Sequence, residues 1–123
     1  MSRVRDELSV SASIDAECAG WLDIVERDKR RQGFKAGDAR RSVAREIGCA
    51  PGTLENVARR RLKGVRGWVQ EAIRAQVCRV MEREIQRLEA ELQMARQCGA
   101  RPDANEVIAA QAAIGEARRL IEG

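Results

Sequence analysis

The sequence predicts an all-α protein: a compact group of short helices followed by a long antiparallel helical hairpin with coiled-coil-like spacing. Three observations predict it. Ala, Arg, Glu, Leu and Gln are abundant, and proline occurs only at Pro51 and Pro102, a composition that favours helix. Val and Ile never alternate with polar residues over a strand's length but recur every three or four positions, the period of one helix face. The aromatic residues are limited to Trp21, Phe34 and Trp68, so the core must be built from Leu, Ile, Val, Met and Ala.

The elements follow in order. Residues 1–13 are small and polar and are expected to form a flexible N-terminal arm. Ser13 suits an N-cap for a helix over Ile14–Arg31, with a stripe of Ile14, Cys18, Trp21, Leu22 and Val25. Asp15 and Glu17 near its start and Lys29, Arg30 and Arg31 at its end complement the helix dipole. Gln32–Gly37 is a glycine-bounded connector. Asp38 is the expected cap of a second helix, Ala39–Ile47, which Gly48 ends. A third helix is expected from Pro51 to about Leu62, proline being tolerated in a first turn. After Gly64 and Gly67 a fourth runs from Trp68 to Cys98. The run Asp103-Ala104-Asn105-Glu106 reads as a capping box for a fifth, ending near Ile121. Three regions are therefore expected: the arm, a domain over residues 14–66, and the hairpin over residues 67–123.

Charge is concentrated. Residues 38–66 carry eight basic side chains against three acidic ones, whereas residues 1–37 carry seven of each. The excess of the whole chain lies in that central segment, and such patches attract polyanions through phosphate contacts and counterion release.

The pattern inside the segment is more specific. Ala44 is small enough for two helix axes to approach, and Gly48 takes positive φ at little steric cost. Val43, Ile47, Leu54 and Val57 give the two helices apolar faces toward each other. The stretch Ser42–Val57 thus resembles the helix-turn-helix of bacterial and phage DNA-binding proteins, which places small, glycine and apolar residues at these positions. The resemblance covers about a fifth of the chain and implies a tri-helical helix-turn-helix core. It also implies that the Pro51–Leu62 helix enters the major groove of double-stranded DNA. Gly52, Thr53, Glu55, Asn56, Arg59 and Arg60 would then face the duplex, with Asn56 suited to adenine, Arg to guanine and Glu55 to the cytosine amino group. Ala50, Pro51 and Gly52 offer few atoms to base edges, which argues against strong sequence reading. Arg40, Arg41, Arg61, Lys63 and Arg66 are the candidate phosphate clamps.

The fourth helix carries Val69, Ile73, Val77, Met81, Ile85, Leu88, Leu92 and Ala95, and its second half is spaced like a coiled-coil seam. The fifth answers with Val107, Ala110, Ile114, Ala117 and Ile121. About 31 residues make roughly 46 Å of helix and about 18 make roughly 27 Å. The return helix therefore leaves Trp68, Val69, Ile73 and Val77 to pack on the preceding domain or on another subunit. Self-association as a dimer or higher homo-oligomer is expected through Trp68, Val69, Ile73, Val77, Met81, Ile85, Leu88, Leu92, Ile114 and Ile121.

Other functions find little support. The chain has no His and no Tyr, its carboxylates are scattered, and Gly33 and Gly37 lack the Lys-Ser/Thr of a phosphate loop. No catalytic residue, metal site or small-molecule cofactor is expected. Cys18, Cys49, Cys78 and Cys98 form no CxxC pair and suit apolar positions in a reducing compartment. No apolar run approaches the roughly 20 residues of a membrane span, and Met1–Glu7 lacks a secretory apolar stretch, so a cytoplasmic location is expected. Three roles remain open: a transcriptional regulator of phage or mobile-element type, a DNA-packaging protein, and an adaptor for an acidic protein. The second rests on a layout similar to that of phage small terminase subunits, which implies a ring of eight or more copies.

Overall fold

Five helices and no strand make up the described residues of the computed structural model, which comprise residues 2–123, with side chains from residue 14 onward. They are α1 (Ser2–Arg31), α2 (Ala36–Ile47), α3 (Pro51–Ala58), α4 (Gly67–Gln97) and α5 (Asn105–Glu122). The chain forms two compact units, which part within α4 between Val77 and Cys78. That division falls eleven residues later than the expected break after Arg66.

In the first unit α1, α2 and α3 pack on one another. Cys18, Leu22 and Val25 of α1, Ala39, Val43 and Ala44 of α2, and Leu54 and Val57 of α3 are all buried. The first turns of α4 add Val69, Ile73 and Val77, also buried. Two polar contacts tie α4 to the same unit: the Arg74 guanidinium lies over the Trp21 ring at 5.0 Å, and Gln76 Nε2 donates to Glu46 Oε2 at 3.3 Å. Val69, Ile73 and Val77 are therefore covered within one chain. Of the expected oligomerisation residues, these three are core residues instead, because the chain supplies their partners and leaves nothing to bury against a second subunit.

α1 is longer than the sequence suggested. It begins at Ser2, so Ser13 stands inside the helix rather than capping it, and the expected arm is helical from Ser2 on. No glycine or proline interrupts residues 2–19, and extending an existing helix costs far less than nucleating one. Two other caps differ. α2 starts at Ala36 with Lys35 as its N-cap, so Asp38 is the acidic residue of the first turn. α5 is capped by Ala104 with no side-chain hydrogen bond. There Ala104 N–H donates to Arg101 O at 3.0 Å, a turn that leaves Asp103 one position too early to cap.

The C-termini share one device. Gly33 (φ 106°), Gly48 (φ 86°) and Gly99 (φ 85°) follow α1, α2 and α4 in the left-handed conformation. Beyond each, an amide reaches back five residues: Phe34 to Lys29 O, Cys49 to Ala44 O and Ala100 to Ala95 O. Glycine is favoured there because it lacks the Cβ that makes positive φ costly.

In the second unit α4 and α5 form the expected hairpin. Leu88 and Leu92 meet Val107 and Ile114, flanked by Ile85, Ala100, Ala104, Ala110 and Ala113. Arg118 Nη2 to Glu89 Oε1 at 2.7 Å links the two helices at the surface. The seam is narrow, and α5 fills it largely with alanine. Among the described residues no helix is long and apolar enough to cross a membrane.

Burial separates two kinds of leucine and isoleucine. Leu54→Ala is expected to lower the unfolding free energy in urea by about 2–5 kcal/mol, the range for deleting a fully buried leucine. Ile108, 52% exposed, serves as the control: Ile108→Ala should stay within about 0.5 kcal/mol of the parent. Equal effects of the two changes would mean that the first unit's core is not centred on Leu54.

Candidate nucleic-acid interface

The α2–α3 pair is held from below by apolar side chains. Val43, Ala44, Leu54 and Val57 are buried and Ile47 is half-buried. The chain turns between the helices at Gly48, whose N–H donates to Ala44 O at 2.8 Å. Pro51 occupies the first turn of α3 after an extended Ala50. This arrangement leaves Gly52 and Asn56 exposed on α3 and Thr53 half-buried.

An ion-pair chain crosses the same helices. Glu26 of α1, only 8% exposed, accepts from Arg40 Nε at 2.6 Å. The other end of that guanidinium pairs with Glu55 of α3, and Glu55 also forms an ion pair with Arg59, Nε to Oε1 at 3.0 Å. The hydrogen bond to Glu26, chiefly, raises the Arg40 pKa above its ordinary value, so the group stays charged at any accessible pH. A buried carboxylate is tolerated because a cation and a hydrogen bond meet it. A second link joins Lys29 of α1 to Glu46 of α2, which also receives Gln76. An open hollow lies beside the first chain, lined by Arg30, Ala36, Gly37, Arg40, Arg41, Pro51, Gly52 and the two carboxylates.

These pairs sort the basic residues of the central segment into two groups. Arg40, Arg41 and Arg59 are engaged, Arg41 with Asp38 at 3.4 Å and with Gly37 O. The remaining five, Arg45, Arg60, Arg61, Lys63 and Arg66, are exposed, and among the described residues they meet no carboxylate. Four of the five belong to the connector between α3 and α4. Leu62 and Val65 are half-buried there, while Lys63 and Gly64 between them are exposed. Val65 N–H closes the turn on Leu62 O at 2.8 Å, with Gly64 at φ 86°.

The connector starts earlier than the sequence suggested, because α3 ends at Ala58 rather than near Leu62. Arg60 sits at φ 61°, the single positive-φ residue other than glycine among those described. Its amide donates to Val57 O at 3.0 Å, and that of Arg61 to Asn56 O at 2.7 Å. This is the same closure that glycine makes after α1, α2 and α4. A side chain in that conformation costs roughly 1–2 kcal/mol, and here it points a guanidinium from the end of α3.

Several sequence expectations need correction on this geometry. Arg40 is a structural ion-pair partner rather than a free phosphate clamp, since two carboxylates of its own chain enclose it. Glu55 is likewise occupied by Arg40 and Arg59 and is not open to a base. Arg59 shares that carboxylate, and Arg60 and Arg61 lie beyond the helix. Glu26 was missed altogether. Its signal was present: it follows Leu22 by four positions and falls on the buried stripe of α1, where a charge demands a partner.

The four cysteines are free thiols. Burial pushes the Cys18 thiol pKa up, helped by Glu17 and Asp15, and burial does the same at Cys49. Among the described residues, no cluster of His, Cys, Asp and Glu is placed to hold a metal ion. No protein-family model, curated protein or solved structure matches the chain.

Two substitutions test the two unusual features. Glu26→Ala leaves Arg40 with only the half-exposed Glu55 and should cost about 2 kcal/mol, below the 3–5 of a fully buried pair because Arg40 is partly solvated. Arg60→Gly relieves the left-handed side chain and should add about 1 kcal/mol. Denaturant unfolding followed by circular dichroism reads both. A destabilised Arg60→Gly protein would show that the side chain is held by contacts worth more than the strain.

Proposed function

We propose that this chain is a non-enzymatic protein that binds double-stranded DNA, with α2 and α3 acting as a helix-turn-helix and the α3–α4 connector gripping the phosphate backbone. The observation that carries this reading is the cluster of Arg60, Arg61, Lys63 and Arg66. These exposed cations lie within seven residues and are unopposed by carboxylates among the described residues. A duplex presents a closely spaced row of phosphates that such a cluster can neutralise with release of counterions. α3 carries Gly52, Thr53 and Asn56 toward solvent, a small set of side chains. Phosphate contacts therefore dominate affinity in this reading, and sequence preference is modest.

The role that fits best is a transcriptional regulator of the phage or mobile-element type, with the second unit serving assembly. One observation keeps the packaging role as a second reading: the hairpin is a compact unit of its own, built on a narrow two-helix seam. Two helices alone bury little apolar surface, which favours pairing with further copies. Ile85 beside the seam and the half-buried Met81 and Ile121 are the candidates for that contact. A dimer in solution supports the regulator, and a ring of eight or more supports the packaging role.

The test is fluorescence anisotropy of a labelled duplex at rising salt. The parent should bind, with log affinity falling linearly against log salt. Replacing Arg61, Lys63 and Arg66 together by alanine should lower that slope by about 2.7, at roughly 0.9 per phosphate contact, with helicity unchanged. An unchanged slope would remove these residues from the interface, and absence of binding at low salt would favour the acidic-protein adaptor.

A further inference from the structure

Among the described residues, Trp68 is the most exposed large apolar side chain of the first unit, ahead of Ile14 and Phe34. It lies in the first turn of α4, two residues beyond Arg66, and is 46% exposed. Its neighbour Val69 is buried, so the helix is firmly seated while the indole is left outside. The second tryptophan of the chain contrasts with it: Trp21 is half-buried and its ring is covered by Arg74. Trp68 has no such cover among the described residues. An exposed indole is a large apolar surface left in water, and its usual use is at an interface, where the ring is covered and the N–H finds an acceptor.

Charge selects the occupant. From Asn56 to Gln70 the sequence holds no acidic residue and five basic ones, and the first turn of α4 carries no carboxylate. Between Arg60 and Trp68 the chain is a cation-rich loop pinned by half-buried Leu62 and Val65 and ending on a flat ring. Phosphates recognised by the cations would bring the deoxyribose, whose C–H surface is apolar, and base edges, whose acceptors suit the indole N–H, to the position of the ring. Self-association through Trp68, by contrast, would press two such basic segments together without counter-charge.

We propose that Trp68 is a nucleic-acid contact, packing its indole against the sugar and base edge of the duplex whose phosphates Arg60, Arg61, Lys63 and Arg66 hold. This rests on the DNA-binding reading above and adds an uncharged, short-range component to it. Such a contact raises affinity without altering the number of counterions released, because it neutralises no phosphate. Removing an aromatic side chain that stacks on a single-stranded base weakens binding by about 5- to 150-fold, and a contact with the sugar and base edge of a duplex belongs at the lower end of that range.

The experiment uses the full-length chain carrying Trp21→Phe, so that Trp68 is the sole tryptophan, and a fluorescein-labelled 20-base-pair duplex. The duplex should shift and quench Trp68 emission and shield the indole from acrylamide. Trp68→Ala in the parent chain should reduce duplex affinity about ten-fold while leaving the salt slope unchanged, with Trp68→Phe intermediate. Binding of the duplex with no change in Trp68 emission, and equal affinity for Trp68→Ala, overturns the proposal but leaves the DNA-binding reading intact. Failure of the parent chain to bind any duplex at low salt overturns both. A Trp68→Ala protein that loses mass in solution but keeps its duplex affinity identifies Trp68 as a subunit contact and also overturns the proposal.

Discussion

The first unit depends on the Arg40 guanidinium being shared between Glu26 and Glu55. Glu26 is buried on α1, and an isolated carboxylate in that position would be prohibitively costly. Arg40 removes the cost only when α2 lies in one register against α1, and its second contact extends the constraint to α3. Apolar packing among Leu22, Val43, Leu54 and Val57 supplies most of the driving force, but such packing tolerates small slides between helices. A buried charge-assisted hydrogen bond does not, since its strength falls away with angle and distance. The pair therefore acts as a register pin for the three helices, and Lys29–Glu46 pins α1 to α2 a second time.

That pin also decides where positive charge is left over. The central segment has a surplus of basic residues, yet most of those on its helices and at the end of α3 are neutralised internally: Arg40 by Glu26 and Glu55, Arg59 by Glu55, Arg41 by Asp38, with Arg45 of α2 left exposed. What remains is carried mainly by the connector after α3. The closing geometry of that helix reinforces the effect. Three of the four helix ends of this kind use glycine, and the fourth uses Arg60 at positive φ. Glycine there would be cheaper for the fold and would carry no charge. Strain kept at one position among equivalents is most readily understood as serving what the side chain does outside the fold.

How much of this was legible in the sequence follows from what each feature depends on. Helical periodicity is local, so the all-α class, the hairpin seam of Leu88, Leu92, Val107 and Ile114, and the glycine turn at Gly48 could be read directly. Helix ends were less legible. Asp38 and Asp103 are good capping residues by type, but the cap is set by where the preceding turn closes, one or more residues away in each case. α3 was extended to Leu62 because nothing in Arg59-Arg60-Arg61 marks a stop, and the stop is a backbone closure that an arginine is made to adopt. Pairing across helices was least legible. Arg40 lies fourteen residues from Glu26 and fifteen from Glu55 in sequence, and only packing brings them together. Val69, Ile73 and Val77 were recognised as needing cover, but whether the cover came from the same chain or a second copy is a tertiary fact.

The distribution of free charge bears on the kind of recognition available to the proposed site. A helix that reads bases needs polar side chains able to make paired hydrogen bonds on its outer face. α3 offers Asn56 and half-buried Thr53, with Gly52 contributing only backbone, and its Glu55 is bound to Arg59, the residue that caps its C-terminus. Base reading by Glu55 or Arg59 would first require breaking that pair, and with Glu55 the Arg40 pin as well. The connector faces no such cost, because its cations meet no carboxylate among the described residues. The cheapest way for this surface to bind a duplex is therefore to gather phosphates first and let shape and the few free α3 side chains adjust the register afterward. That ordering favours affinity that is steeply salt-dependent and only modestly sequence-dependent.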